Sequence, residues 1–463
     1  MDIFKAYDIR GIYGFDLTEN FSYNLGMAVV TFSKPKSIVV GYDSRKSSMK
    51  LFSAFASAII DSGADVIHVG MVSRPMLNWI VLKHGYDLGV IISASHNPKE
   101  YNGYKFIAKN GMPLYYDNYL IHIEQLIKGM KGGNFVKPKK KGRIISLDYI
   151  DDYVKFLSSN LSNEFIKHSK NKRVKIVGDA SNGAAGEIIK RFLDINNLDY
   201  ELLFSEPDGN FPCHSPNPLD KNAPVVLSNT VVKNKAEFGF IVDPDADRIR
   251  FVDEKGNVLD NNYSACIVAK YLLEKDRKKF VVHDLVSKKI LGEVIRRNKG
   301  KEIISRVGYG FIFENMKMND AIFGAEVSGH YFFRSMNYLD SGLLMLVNML
   351  NALYKKSNKG KRLSTLIKPL NKYVDTGEIN YPVADQGYKQ EIIGKIVAYF
   401  KNNKKILGIK KILLLDGVSI YFADAWVNVR PSNTESFIRM HAEARNAKKL
   451  VRIKKIMDKL ITK

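Results

Sequence analysis

Thiol chemistry is nearly absent from this chain. Cys213 and Cys266, its two cysteines, offer no metal-ligand spacing and no disulfide framework, and both are expected to stay reduced. No uninterrupted apolar run reaches the roughly 18 residues of a membrane-spanning helix, so no membrane partner is expected. The opening Met1-Asp2-Ile3-Phe4-Lys5 lacks a basic start ahead of a long apolar core, and cytoplasmic residence is the expectation. Sequence repeats are missing too. Acidic residues are outnumbered, 48 against 71 basic ones, for a formal charge of +23. Such an excess suits a polyanion-binding protein. The cations, however, are dispersed and mostly lysine, with few blocks beyond Lys137–Lys141. Steering of a small anionic substrate accounts for them, and no nucleic-acid partner is expected.

What is present is a long alternation of strand and helix patterns. The 463 residues exceed one ordinary domain. Ser37–Val40, the helical stretch Met49–Ser62 and Asp65–Val69 read as a βαβ unit, as do Val174–Asp179 and Gly186–Leu193. A helix is expected over Leu147–Leu161. The run Lys137-Pro138-Lys139-Lys140-Lys141-Gly142 marks a first boundary, and Asn257 and Pro369 mark the next two. The expected lobes are therefore residues 1–143, 144–256, 257–368 and 369–463.

Leu88-Gly89-Val90-Ile91-Ile92 is a short, β-branched apolar run that reads as a buried strand. It delivers Ser93-Ala94-Ser95-His96-Asn97-Pro98 to a loop, with Lys105 shortly after. Ser95 is a nucleophile candidate, and His96 and Lys105 are residues able to handle its proton or balance a phosphoryl charge. Taken alone, the same residues suit a turn that hydrogen-bonds itself before Asn-Pro.

A second apolar strand, Phe238–Val242, runs into Asp243-Pro244-Asp245-Ala246-Asp247-Arg248. In extended geometry, carboxylates at alternate positions point to one side and suit one hard cation such as Mg²⁺. Pro244 favours a loop over a central strand. An EF-hand calcium loop wants glycine at its sixth position, where Arg248 stands. A solvated acidic turn is the bland alternative, and the metal site is the preferred one.

With Ala325-Glu326-Val327-Ser328-Gly329-His330, Arg430-Pro431-Ser432-Asn433-Thr434-Glu435 and the opening Lys5-Ala6-Tyr7-Asp8-Ile9-Arg10-Gly11, these motifs run in one order along nearly the whole chain. Together they resemble the phosphomannomutase/phosphoglucomutase family of α-D-phosphohexomutases. The resemblance implies three similar α/β lobes, a smaller C-terminal α+β lobe and an active site in the central cleft. It implies a reversible conversion between hexose 1-phosphates and hexose 6-phosphates through a 1,6-bisphosphosugar. Mg²⁺ is the implied cofactor, glucose or mannose 1,6-bisphosphate the activator, and sugar phosphates the partners of a monomer or homodimer.

Residue by residue, the resemblance makes Ser95 a phosphoserine that shares a metal with Asp243, Asp245 and Asp247. Arg10, His96, Lys105, Arg248 and His330 are its catalytic candidates, with the choice of base between Lys105 and His330 open. Tyr7, Glu326, Ser328 and His330 would contact the sugar. Arg430, Ser432, Asn433 and Thr434 would cradle the non-reacting phosphate. For the last set, a helix N-cap ahead of Thr434-Glu435 is a compatible second reading. Arg439 is either an added charge or a structural ion pair, and Arg45 is either a rim charge or functional.

Departures from the family pattern are as informative. Tyr309 follows Gly308 where a histidine is frequent, Val286 lies where relatives commonly carry lysine, and Pro244 replaces glycine. Lys288 or Lys289 would substitute for that lysine only if the loop shifts. A phosphoglucosamine mutase is the nearest alternative, although Val327 is not the glutamine associated with that subgroup. A non-catalytic homologue that binds polyanions is the alternative from another class.

Overall fold

The computed structural model describes residues 3–129, 140–383, 386–432 and 436–462. Asn433 and Thr434, with Lys137 and Lys139 of the basic run, lie outside the described residues. The chain forms two compact units, residues 1–264 with 328–364, and residues 265–327 with 365–463.

Two sheets of the first unit deliver their loops by the same device. In the first, the strand order is Ile9–Ile12, Tyr101–Ala108, Leu88–Ile92, Ser37–Tyr42, Asp65–Met71, Ile144–Ser146. Leu88–Ile92, Ser37–Tyr42 and Asp65–Met71 run parallel, and Tyr101–Ala108 returns antiparallel beside Leu88–Ile92. The chain leaves Ser37–Tyr42 toward one neighbour and comes back on the other side. The loops after Ser37–Tyr42 and Leu88–Ile92 therefore diverge at their carboxyl ends, which is where open α/β sheets bind ligands. The second sheet has the order Ile249–Asp253, Phe238–Val242, Lys175–Asp179, Asp199–Leu203. Phe238–Val242 is again parallel to its inner neighbour and antiparallel to the returning strand Ile249–Asp253.

Both delivering strands are wholly buried, as their continuous apolar runs require. Burial of each large side chain, such as Phe240 or Ile241, contributes about 1.5–3 kcal/mol, which anchors the loops at the strand ends. The helix expected over Leu147–Leu161 is shorter, Ile150–Ser159. Ile144–Ser146 first pairs with Asp65–Met71, and Leu147 N still donates to His68 O at 3.0 Å. The helices at Ser48–Asp61 and Gly186–Ile195 stand where the periodicity places them.

In the second unit, Phe280–Asp284 runs parallel to both Lys301–Ser305 and Phe323–Ala325. The C-terminal part is wholly antiparallel, in the order Val374–Pro382, Phe437–Ala444, Ala425–Pro431, Val418–Phe422, Ile409–Leu413. Its core packs Ile392, Ile396 and Phe400 of the helix Gln386–Asn402 against Val427, Val429 and Met440. Three α/β lobes with an α+β C-terminal lobe are thus the architecture. No described helix is long and apolar enough to cross a membrane.

Candidate active site

The Ser95 loop is built around a buried guanidinium. Arg45, after the strand Ser37–Tyr42, is held by Asp43 Oδ2 at 3.0 Å. Its Nη2 donates to the carbonyls of Ser95 and Asn97 at 2.7 and 2.6 Å, and its Nη1 to those of Pro98 and Tyr101 at 2.6 and 3.0 Å. Arg45 is a frame for the loop's backbone, which decides its role. Ser95 itself takes a left-handed φ of +50°, a conformation that costs a non-glycine residue about 1–3 kcal/mol and persists only where its surroundings over-determine it. Ser93 Oγ accepts from Ser95 N at 2.8 Å and donates to Asp245 Oδ2 at 3.2 Å, linking this loop to the acidic one.

The acidic loop is not extended, contrary to the alternation expected from its sequence. Ala246 has a φ of +53° and its N–H donates to Asp243 O at 2.8 Å, so the chain turns at once after the strand. Gly183 permits this: a Cβ there would sit 2.5 Å from Pro244 Cα. The turn still gathers Asp243, Asp245 and Asp247, all buried, with one oxygen of each within 4.8 Å of the others. Ser95 Oγ donates to Asp243 Oδ2 at 2.7 Å. Lys105, on the returning strand, places Nζ 3.0 Å from Asp245 Oδ2 and from Asp247 Oδ2.

Arg74 and Asp340 complete the cluster and were missed in the sequence. Arg74 Nε donates to Asp247 Oδ2 at 2.7 Å, its Nη2 bonds Asp340, and its N–H donates to Asp245 O at 3.0 Å. Nothing in Ser73-Arg74-Pro75 signals this beyond a cation at the start of a helix.

Charge is unevenly satisfied. Burial and the Asp247 and Asp245 carboxylates push Asp243 well above the usual carboxylate range. Burial acts the same way on Asp245 and Asp247, but Lys105 and Arg74 outweigh it and hold both low. Asp245 Oδ1 is buried with no hydrogen-bond partner. A buried carboxylate oxygen left over, beside a third carboxylate that resists ionising, fits a hard cation with an all-oxygen donor set. Asp247, His330 and Asp340 form a second convergent group, but an imidazole suits Mg²⁺ less and Arg74 already bridges Asp247 and Asp340.

The remaining candidates of the first unit, Tyr7 apart, contact this cluster or the Ser95 loop. His330 Nε2 lies 3.1 Å from Asp247 Oδ1 and 3.2 Å from Arg248 Nε, so it donates to the carboxylate when protonated and accepts from Arg248 when bare. Its Nδ1 is 2.9 Å from Ser328 Oγ. Arg248 Nε stands 4.0 Å from both Asp243 and Asp247. His96 Nδ1 is 3.4 Å from Ser95 Oγ, and burial, then Arg248 and Arg10, lower its pKa to about 2, so it is a neutral ring. Arg10 Nη1 donates to Asn97 Oδ1 at 2.6 Å and pairs with Asp8. Tyr7 packs edge-on against Tyr115.

Glu326, Arg430 and Ser432 belong to the second unit. The Glu326 loop is pinned by Asp284, whose Oδ2 accepts from Val327 N at 2.9 Å and whose Oδ1 accepts from Ser287 Oγ at 2.8 Å. Burial and the Glu326 charge raise the Asp284 pKa. Val286 is buried with Leu285 and Trp426 rather than facing solvent. The Lys288 ammonium pairs with Asp375 at 2.7 Å, and Lys289 Nζ donates to Phe422 O at 3.4 Å, so each side chain is turned to a partner of its own. Tyr309 opens the helix Tyr309–Met318 after Gly308.

Arg430 is the last residue but one of the strand Ala425–Pro431, and Ser432 N donates to Phe437 O at 2.9 Å. The segment that follows is the strand Phe437–Ala444, not a helix, so the N-cap reading of this motif fails. Asn433 and Thr434 fall outside the described residues.

Four family models match the chain in order: phosphoglucomutase/phosphomannomutase alpha/beta/alpha domain I over residues 1–131, domain II over 151–256, domain III over 260–373 and the C-terminal domain over 378–460. A phosphomannomutase of Methanocaldococcus jannaschii is 38% identical, covering 99% of this chain and 98% of the relative. A phosphomannomutase of Escherichia coli is 33% identical, covering 96% and 94%. The crystal structure of a phosphoglucomutase/phosphomannomutase family protein from Burkholderia thailandensis superposes with a TM-score of 0.86 at 26% identity, covering 99% and 97%. Matched along nearly its whole length by these four models and by both relatives, this chain belongs to the phosphoglucomutase/phosphomannomutase family, isomerases that interconvert hexose phosphates.

Proposed function

We propose that the chain interconverts mannose 1-phosphate and mannose 6-phosphate, with the glucose phosphates as second substrates, and that Ser95 carries the phosphoryl group. One observation bears most of the weight: Ser95 Oγ donates to Asp243 at 2.7 Å inside a buried cluster of three aspartates. In the forward half-reaction the phosphoserine O–P bond breaks as a bond forms to the free sugar hydroxyl, and the second phosphate later returns to Ser95. Mannose or glucose 1,6-bisphosphate is the intermediate and, added in trace, the activator.

The chain's own groups divide the work. Lys105 is committed to Asp245 and Asp247 as charge partner, so we assign the reacting hydroxyl's proton to His330. Arg248 and Arg10 orient the phosphoryl group, and His96 offers a neutral ring nitrogen beside Ser95. Asp243, Asp245, Asp247 and Ser95 would hold Mg²⁺, which when bound supplies positive charge against that of the transferred group. Glu326, Ser328 and Tyr7 would contact the sugar hydroxyls. Arg430, Ser432, Asn433 and Thr434 would anchor the phosphate that does not react. We place the first lobe boundary after Ser146, since Ile144–Ser146 pairs with the first sheet, and keep those near 256 and 368.

Mannose is favoured because the two relatives are phosphomannomutases, and Val327, not being the glutamine of the phosphoglucosamine subgroup, speaks against glucosamine. Turnover of mannose, glucose and glucosamine 1-phosphates with Mg²⁺ and a trace of 1,6-bisphosphate tests the proposal. Conversion of the first two is expected, mannose with the highest kcat/KM. No conversion of any sugar by enzyme phosphorylated at Ser95 would overturn it, and a preference for glucosamine would overturn the sugar assignment.

A further inference from the structure

The second unit sets two cations face to face. Arg430 and Arg439 are direct partners across the antiparallel strands Ala425–Pro431 and Phe437–Ala444, a juxtaposition of like charges that destabilises a sheet unless an anion lies between them. The next strand, Val374–Pro382, supplies that anion. Glu378 Oε2 accepts from Arg430 Nη2 at 2.7 Å, and Glu378 Oε1 lies 3.4 Å from Arg439 Nη1. In register Glu378 faces His441, two positions beyond Arg439, so its side chain reaches along the sheet to span both guanidinium groups.

The cations and the anion are not equally fixed. Arg430 is 9% exposed, and its Nη1 is buried with no hydrogen-bond partner. Lys389, also buried, adds a third positive charge, with Nζ 2.9 Å from Ser432 O. Glu378 is 40% exposed along its side chain and can turn out into water. A guanidinium fork accepts a carboxylate or a phosphate with the same geometry.

We infer that Glu378 is an internal stand-in for the substrate phosphate: it occupies the Arg430–Arg439 pair in the free enzyme and is displaced when a phosphate dianion arrives. The inference rests on the reading of Arg430 as a phosphate anchor. Exchange gives the site a selectivity that bare arginines lack. A monoanion that replaces Glu378 restores only the charge that leaves, whereas a dianion brings one more. Glu378 thereby screens the subsite against small monoanions and lowers phosphate affinity by the strength of the ion pair to be broken.

The test is calorimetric titration of the full-length protein with inorganic phosphate, and separately with acetate, for wild type, E378Q, R430A and the E378Q/R430A pair. Gln keeps a hydrogen-bond acceptor and removes the charge. Phosphate is expected to bind E378Q about 2- to 5-fold more tightly than wild type, the worth of a part-exposed ion pair, and acetate to gain at least as much. R430A should weaken phosphate binding, and the E378Q gain should vanish in the R430A background. Equal or weaker phosphate binding by E378Q, with R430A still impaired, overturns the stand-in role alone. Unchanged binding in R430A overturns the anchor reading and the inference with it. Thermal melts check that each variant is folded; should E378Q fail to fold, E378A is titrated in its place against the same two outcomes.

Discussion

The Ser95–aspartate cluster of the first unit and the Arg430–Arg439 pair of the second solve opposite electrostatic problems by different means. The first concentrates negative charge where water is excluded, and answers it with Lys105 and Arg74, themselves buried or nearly so. The second concentrates positive charge near a strand end and answers it with Glu378, an exposed carboxylate. The fixed partners lie where, on the proposed role of Ser95, geometry would have to survive each phosphoryl transfer. The replaceable partner lies where, on the proposed role of Arg430, a phosphate would bind and leave.

Substitutions can break that contrast, beginning with the proposed nucleophile. Ser95→Ala should lower kcat by more than about 10⁴-fold, as loss of a covalent nucleophile does, with an unchanged melting temperature; activity within tenfold of wild type would refute the role. Asp245→Asn should cost roughly 10²-fold or more in kcat and raise the Mg²⁺ concentration for half-activity; an unaltered metal requirement would detach Asp245 from the metal. Arg74→Met should act on stability, because it strands Asp247 and Asp340: a loss of about 3–5 kcal/mol is expected in denaturant unfolding. The double change Arg74→Met with Asp340→Asn should recover part of it, and strict additivity would show that the pair is not coupled. Arg430→Ala should mainly raise KM, roughly 10- to 100-fold for loss of a charged hydrogen-bond partner, with kcat within a few-fold. An equal fall in kcat would move Arg430 from anchoring to chemistry.

What the sequence disclosed about these regions follows from how local each signal is. Ser95 and the three aspartates each follow a buried apolar strand within a few residues, so their placement was readable. The assumed extended geometry of Asp243–Asp247 was not, because a turn at Ala246 and the close approach of Gly183 gather the carboxylates instead. Arg74 escaped because its partners lie 173 and 266 positions away. Arg45 is left open by the sequence for a different reason: its targets are backbone carbonyls, which no residue pattern announces. Glu378 gave no signal at all, since its meaning depends on a register across two other strands. The N-cap reading at Ser432 failed because cap-type residues also precede strands, and here Phe437–Ala444 continues the sheet.

The most direct test of the account is the site of phosphate during turnover. The enzyme is loaded with mannose 1,6-bisphosphate, digested and mapped by mass spectrometry, before and after a chase with excess mannose 6-phosphate. The account predicts phosphate on Ser95 that the chase removes. Turnover of mannose 1-phosphate by an enzyme whose Ser95 never carries phosphate would contradict it.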